Sequence, residues 1–172
     1  MFKKIISAVL SAALVTGCMK AAHSTDHFSE SIKCLADNMY WEARNQPFAG
    51  QVAVSNVVLN RVDDPRFPNT VCEVVHQGPT KKSWSDPTVY YPVRHRCQFS
   101  WYCDGKSDEI PESDWEMYQH MRSVALKVYT GWFGDNTFGA THYHASYVKP
   151  DWAASKTRTT KIGLHIFYKW EQ

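Results

Sequence analysis

Residues 34–51 read CLADNMYWEARNQPFAGQ, and their spacing decides how the fold begins. Ile32, Leu35, Met39 and Ala43 recur at intervals of three and four, the period of a helix face turned to a core. The pattern predicts a helix from about Ser29 to Arg44. The NQP that follows stops it, because Pro47 disfavours helical geometry at Gln46. Glu42 falls three residues after Met39, on nearly the same side. Carboxylates seldom occupy a buried stripe, so Glu42 is either an acid held there for chemistry or an ion-pair partner of Arg44, Arg61 or a nearby hydroxyl.

Working outward, Val52, Val54, Val57, Val58 and Leu59 give a second helix, near Phe48 to Arg61, an unusually broad apolar surface. Thr70 and Glu73 form a capping box for a short third helix, Val71 to His76. Residues 78–111 are irregular and rich in Trp and Tyr beside polar groups, the composition of a loop that lines a groove. Ser113 with Glu116 predicts the cap of a long helix whose buried side is Trp115, Tyr118, Met121, Ala125 and Val128 and which ends at Gly131. The tail segments ATHYHASYV and KIGLHIFYKW predict two short strands.

In the other direction, MFKK followed by IISAVLSAALV and a small-residue exit reads as a secretory signal over residues 1–17, with an apolar run too short for an ordinary membrane span. VTGC resembles a lipobox, which makes Cys18 the expected lipidation site. Cleavage near Ala21 or Ala22 would give a soluble periplasmic or secreted protein instead. Residues 18–28 form a polar tether, and residues 29–172 a single domain, expected to be monomeric.

Of the five cysteines, Cys34, Cys72, Cys97 and Cys103 remain as an even set for an oxidising compartment, with three possible pairings. Loss of Lys3 and Lys4 with the signal leaves 17 basic against 17 acidic residues, so nothing suggests nucleic acid as a partner. Aromatic residues make up 14% of the chain, including seven Trp and nine Tyr, which favours a surface that binds sugars or peptides, although a Trp-rich core gives the same figure.

Three places hold candidate chemistry. Partial burial of Glu42 would raise its pKa and keep it protonated, the state from which a carboxylic acid delivers a proton to a departing sugar oxygen. In CQFSWYCDG an extended backbone would put Gln98 and Ser100 on one side and Phe99 and Trp101 on the other. Asp104 and Asp108 could supply a second carboxylate. His142 and His144, two apart, could hold zinc with His165 as a third ligand, but no H-E-x-x-H is present and strand histidines more often bond to backbone. No metal and no cofactor is expected.

These motifs together resemble the SleB-type cell wall hydrolases, the family of the catalytic domains of spore cortex-lytic enzymes and related bacterial and phage proteins. The blocks are NMYWEARNQPFAGQVAVSNVVLNRV and PRFPNTVCEVV, then CQFSW and CDG, then GATHYHASYVKPDWA and TTKIGLHIFYKW, over roughly residues 34–170. The resemblance implies a mainly α, lysozyme-like (α+β) fold with a small C-terminal β element and a disulfide-stapled loop around a peptidoglycan groove. It implies cleavage between N-acetylmuramic acid and N-acetylglucosamine in the manner of a lytic transglycosylase, with Glu42 as the catalytic acid. Trp41, Gln98, Ser100, Trp101, Tyr143 and His144 are the expected substrate-binding residues. Family members often carry Gly-Glu after the EAR motif where this chain has Asn45 and Gln46, which gives standing to a non-catalytic wall-binding lipoprotein; a water-using muramidase and a zinc amidase or peptidase built on the histidines are the other rival readings. No wall-binding repeat precedes the domain, and a lipid on Cys18 would replace that anchor.

Overall fold

The computed structural model describes residues 27–171. The predicted signal sequence, Cys18 and most of the tether lie outside them. Helix α1 occupies 27–43 of the described residues, and so takes in His27 and Phe28, which the sequence assigns to the tether. Phe28 is held by an edge-on contact with Tyr129, ring centroids 5.5 Å apart.

After a turn at Asn45 to Pro47 the chain enters α2 (Phe48–Val62) and then α3 (Val71–Val75). The capping box at α3 is present: Thr70 Oγ1 accepts from the Glu73 N–H at 3.3 Å and donates to the Glu73 carboxylate at 2.7 Å. A β1–β2 hairpin follows (Thr80–Lys82 and Tyr90–Pro92), then a loop that contains the short 3₁₀ turn Ser100–Cys103. Helix α4 is Trp115–Tyr129, and β3 (His142–Ala145), β4 (Thr157–Ile162) and β5 (His165–Lys169) form an antiparallel sheet in the order β3-β5-β4.

The breadth of the apolar surface on α2 has a direct explanation. Val52 and Val58 pack with Leu35, Met39 and Tyr40 of α1 and with Met121 and Val128 of α4. Ala53 and Val57, on another side of α2, pack against Ala140 and Phe167 of the sheet region. Helix α2 is therefore the divider between helices and sheet, buried on two sides, and it supports everything that borders it.

Two expectations need correction. Ser113 does not cap α4. It lies in a 3₁₀ turn, Glu112–Asp114, where its hydroxyl donates to Asp114 at 3.0 Å, while Tyr40 OH takes the other Asp114 oxygen at 2.6 Å. The tail has three strands, not two: the Gly163–Leu164 step inside KIGLHIFYKW is the turn between β4 and β5, with Gly163 at φ +56° where other residues are strained. The end of α4 is as the sequence predicts, with Gly131 at φ +74° and the Trp132 N–H donating back to the Lys127 carbonyl at 2.8 Å.

Of the three possible pairings the structure has Cys34–Cys72 and Cys97–Cys103. The first ties α1 to α3. The second closes a small ring at the loop that faces the end of α1.

Candidate active site

The last turn of α1, the loop 98–108 and strand β3 enclose a cleft of about 640 Å³. All seven residues that the sequence nominates for catalysis or substrate binding line it: Trp41, Glu42, Gln98, Ser100, Trp101, Tyr143 and His144. Glu42 answers to the rule that put it on the stripe. Its neighbours Met39 and Ala43 are buried, and the carboxyl itself is partly buried at the cleft floor.

Tyr143 OH donates to Glu42 Oε2 at 3.0 Å. Burial pushes the Glu42 carboxyl above its ordinary value, while the Tyr143 hydrogen bond and the Arg61 charge pull it back down. Burial also holds the Tyr143 hydroxyl well above its usual range, followed by the charge of Glu42 and the hydrogen bond to it, so the phenol stays a donor. The arrangement engages one carboxyl oxygen and leaves the other for a ligand in the cleft.

The aromatic floor differs from a row of open sugar platforms. Ser100–Cys103 is a 3₁₀ turn and not extended, yet the rings and the polar groups still part company: Phe99 (2% exposed) and Trp101 (9%) point inward, Gln98 and Ser100 outward. Trp101 Nε1 donates to Asn38 Oδ1 at 3.1 Å, and its ring stacks beneath Trp41 with centroids 6.3 Å apart. Trp101 is thus the support for Trp41, and the face left for a ligand belongs to Trp41.

Of the three candidate histidines, His144 is committed within the protein, while His165 Nδ1 is buried without a hydrogen-bond partner. His144 Nδ1 donates to the Ala145 carbonyl at 2.9 Å, and its Nε2 meets Tyr168 OH at 3.0 Å, so neither nitrogen is spare for a metal. His142 is pushed down to about 4, by burial first and then by the charges of Arg61, Lys156 and Arg66. Among the described residues no three His, Cys, Asp or Glu side chains group as a ligand set. Asp104 and Asp108 line the opposite wall. Asp104 is occupied by the Lys106 N–H at 2.8 Å.

Arg61 is the residue whose part in the cleft the sequence reading misses. It lies on α2, 4% exposed, and lines the cleft. A signal for it exists: it stands three and four residues after Val58 and Val57 on a buried stripe, the same anomaly that marks Glu42. Gln46, where the resemblance leads one to expect an acid, accepts the Leu164 N–H through Oε1 at 3.0 Å and so fastens the β4–β5 turn to the end of α1.

A profile of the cell wall hydrolase family matches residues 45–168. The chain belongs to that family. This cell wall hydrolase is similar to the spore cortex-lytic enzyme of Bacillus subtilis, 28% identical over 149 residues that cover 86% of this chain and 40% of that protein. It is equally similar to the spore cortex-lytic enzyme of Bacillus cereus, 28% over 139 residues, 80% and 44% of the two chains. The chain thus spans less than half the length of the curated relatives it matches. The catalytic domain of the Bacillus cereus SleB protein superposes with a TM-score of 0.59 at 29% identity, over 81% of this chain and 89% of that one. The catalytic domain of the germination-specific lytic transglycosylase SleB from Bacillus anthracis gives the same score and identity over 81% and 93%. The SleB-type membership and the mainly helical fold with small sheets stand on these matches. The profile begins at Asn45, three residues beyond Glu42, so the profile match does not extend to Glu42.

Proposed function

We propose that this cell wall hydrolase cleaves peptidoglycan glycan strands between N-acetylmuramic acid and N-acetylglucosamine, as a lytic transglycosylase with Glu42 as its single acid and base. The observation that carries the reading is one carboxyl, partly buried at the floor of a cleft, with one oxygen held by Tyr143 and the other open. Protonated Glu42 gives its proton to the glycosidic oxygen as the bond to the muramic anomeric carbon breaks. The carboxylate then takes the proton of the muramic C6 hydroxyl, whose oxygen closes onto that carbon to give a 1,6-anhydro end. No water is consumed, and Glu42 ends as it began. Trp41 offers a sugar face, Gln98 and Ser100 offer polar contacts, and His144 and Trp101 hold the walls.

Mass spectrometry of digested sacculi decides the product. Anhydro-ended muropeptides are expected. Reducing muramic ends would mean a muramidase that uses water, with Asp108 on the opposite wall as the base to test next. A folded protein that binds sacculi and releases nothing would favour the wall-binding reading. The substrate lies outside the cytoplasm, so the reading includes export, with a lipid on Cys18 as the anchor. Mass analysis of the processed N-terminus distinguishes a lipidated Cys18 from a start near Ala22.

A further inference from the structure

We propose that Arg61 is a positioning residue for this reaction: its buried guanidinium, without a carboxylate partner at the cleft floor, stabilises Glu42 as a carboxylate once the proton has gone. This rests on the reading of Glu42 as the acid.

The geometry is unusual for an arginine. Nε donates to the Thr141 carbonyl at 2.7 Å, next to the strand that carries Tyr143. The carbon of the guanidinium sits 5.2 Å from the Phe67 ring centroid and 5.3 Å from that of Phe99. Nη1 is buried with no hydrogen-bond partner, and Arg61 makes no ion pair among the described residues. A desolvated charge without a counter-ion is strongly unfavourable, and for packing alone an apolar side chain of this volume serves better. The guanidinium keeps its proton when buried, so its charge acts on whatever shares the cleft.

What shares it is the acid. The titratable and charged groups that line the cleft with Glu42 include His142, Tyr143 and His144 from β3, Arg61 from α2, His165 from β5 and Arg44 from the end of α1, with Asp104, Lys106 and Asp108 across the cleft. Glu42 and Arg61 each feel the other's charge, and His142 is held down in part by the same cation. Before proton transfer Glu42 is neutral and Arg61 is unbalanced. After transfer the pair is balanced, so the interaction is stronger on the far side of the step, which is the condition for lowering its barrier.

The test is the alkaline limb of the pH–rate profile in Arg61→Met and Arg61→Lys. A general acid fails as pH rises through its own pKa. Removing the cation therefore moves the limb upward, by about one pH unit, and lowers kcat at its plateau by about tenfold or more. Arg61→Lys keeps the charge and holds the limb near the parent position. The His142 ring, followed by NMR, titrates above its parent value of about 4 in Arg61→Met and stays low in Arg61→Lys. If Arg61→Met folds poorly, Arg61→Gln, which keeps a donor for Thr141, makes the same comparison. Loss of activity with limb and ring unmoved would reduce Arg61 to a structural tie and overturn the proposal. The Glu42 carboxyl itself can be titrated by carbon NMR in both proteins, so the coupling is measured even if Glu42→Gln stays active and the acid assignment fails.

Discussion

The two walls of the cleft are built in opposite ways. The helical wall, the end of α1 against α2, stands on fully buried Leu35, Met39 and Tyr40 and is tied to α3 by Cys34–Cys72. The loop wall, residues 97–108, has two buried rings, Phe99 and Trp101, and a short disulfide ring whose cysteines are six positions apart. Part of its backbone is bonded locally, as where the Tyr102 N–H meets the Phe99 carbonyl at 3.3 Å. The helical wall holds Glu42 and Arg61, the residues to which the proposed proton chemistry is assigned and where a small displacement would be costly. The loop wall holds Gln98 and Ser100, outward polar groups suited to gripping a sugar. On the proposed reading, rigidity goes to the chemistry and the grip is left to a stapled loop.

The largest expected effect breaks the chemistry and spares the architecture. Glu42→Gln removes the proton and keeps the shape, so kcat falls by about a hundredfold to ten-thousandfold, with sacculus binding retained. Its stability has a defined sign. Burial raises the Glu42 carboxyl above its unfolded value, so the stability it contributes is full at acid pH and is lost as pH rises through the raised value. Glutamine avoids that loss, and thermal melts at pH 5 and pH 8 should show the variant gaining on the parent as pH rises. Substantial residual turnover would remove the acid from Glu42.

Next in size come the disulfides, which separate the walls by stability. Loop-closure entropy assigns about 4 kcal/mol to a bridge spanning 38 residues and about 2 kcal/mol to one spanning six. Replacing Cys34 and Cys72 by serine should lower the denaturation midpoint about twice as far as replacing Cys97 and Cys103. The second pair should instead raise KM while leaving kcat closer to the parent, because it frees Gln98 and Ser100 and not Glu42. Equal effects on kcat would mean that the two walls share the chemistry.

How much of this was legible in the sequence follows the same division. The helical wall was readable because its period is that of a helix, and Glu42 stood out by violating the stripe. Arg61 violated a stripe too, but on α2 the apolar surface is so broad that one face could not be told from another before the sheet was seen on its far side. The loop wall was legible as chemistry and not as geometry: Gln98 and Ser100 do face outward, but through a 3₁₀ turn, because Trp101 finds Asn38, a partner 63 residues away that no local pattern reveals. The β4–β5 hairpin was read as one strand because its two-residue turn hides between apolar residues. Ser113 fitted a capping motif, but α4 begins at Trp115 and the Ser113 hydroxyl donates to Asp114, whose other oxygen is held by Tyr40, again a distant partner.

The smallest expected effect concerns Gln46, where the resemblance leads one to expect an acid. If the helical wall needs one acid only, Gln46 is there for the turn it fastens. Its Oε1 accepts the Leu164 N–H, and a Cβ on Gly163 would lie 2.6 Å from that oxygen, so amide and glycine are fitted to each other. A glutamate presents the same acceptor, and Gln46→Glu should therefore keep kcat within about threefold of the parent. Gln46→Ala should lower stability by about 1 kcal/mol, through the turn that leads to His165, whose ring lies 4.9 Å from that of Tyr143. A tenfold gain in turnover on restoring the acid would show instead that the wall works with two carboxylates, and the single proton shuttled by Glu42 would no longer account for the reaction.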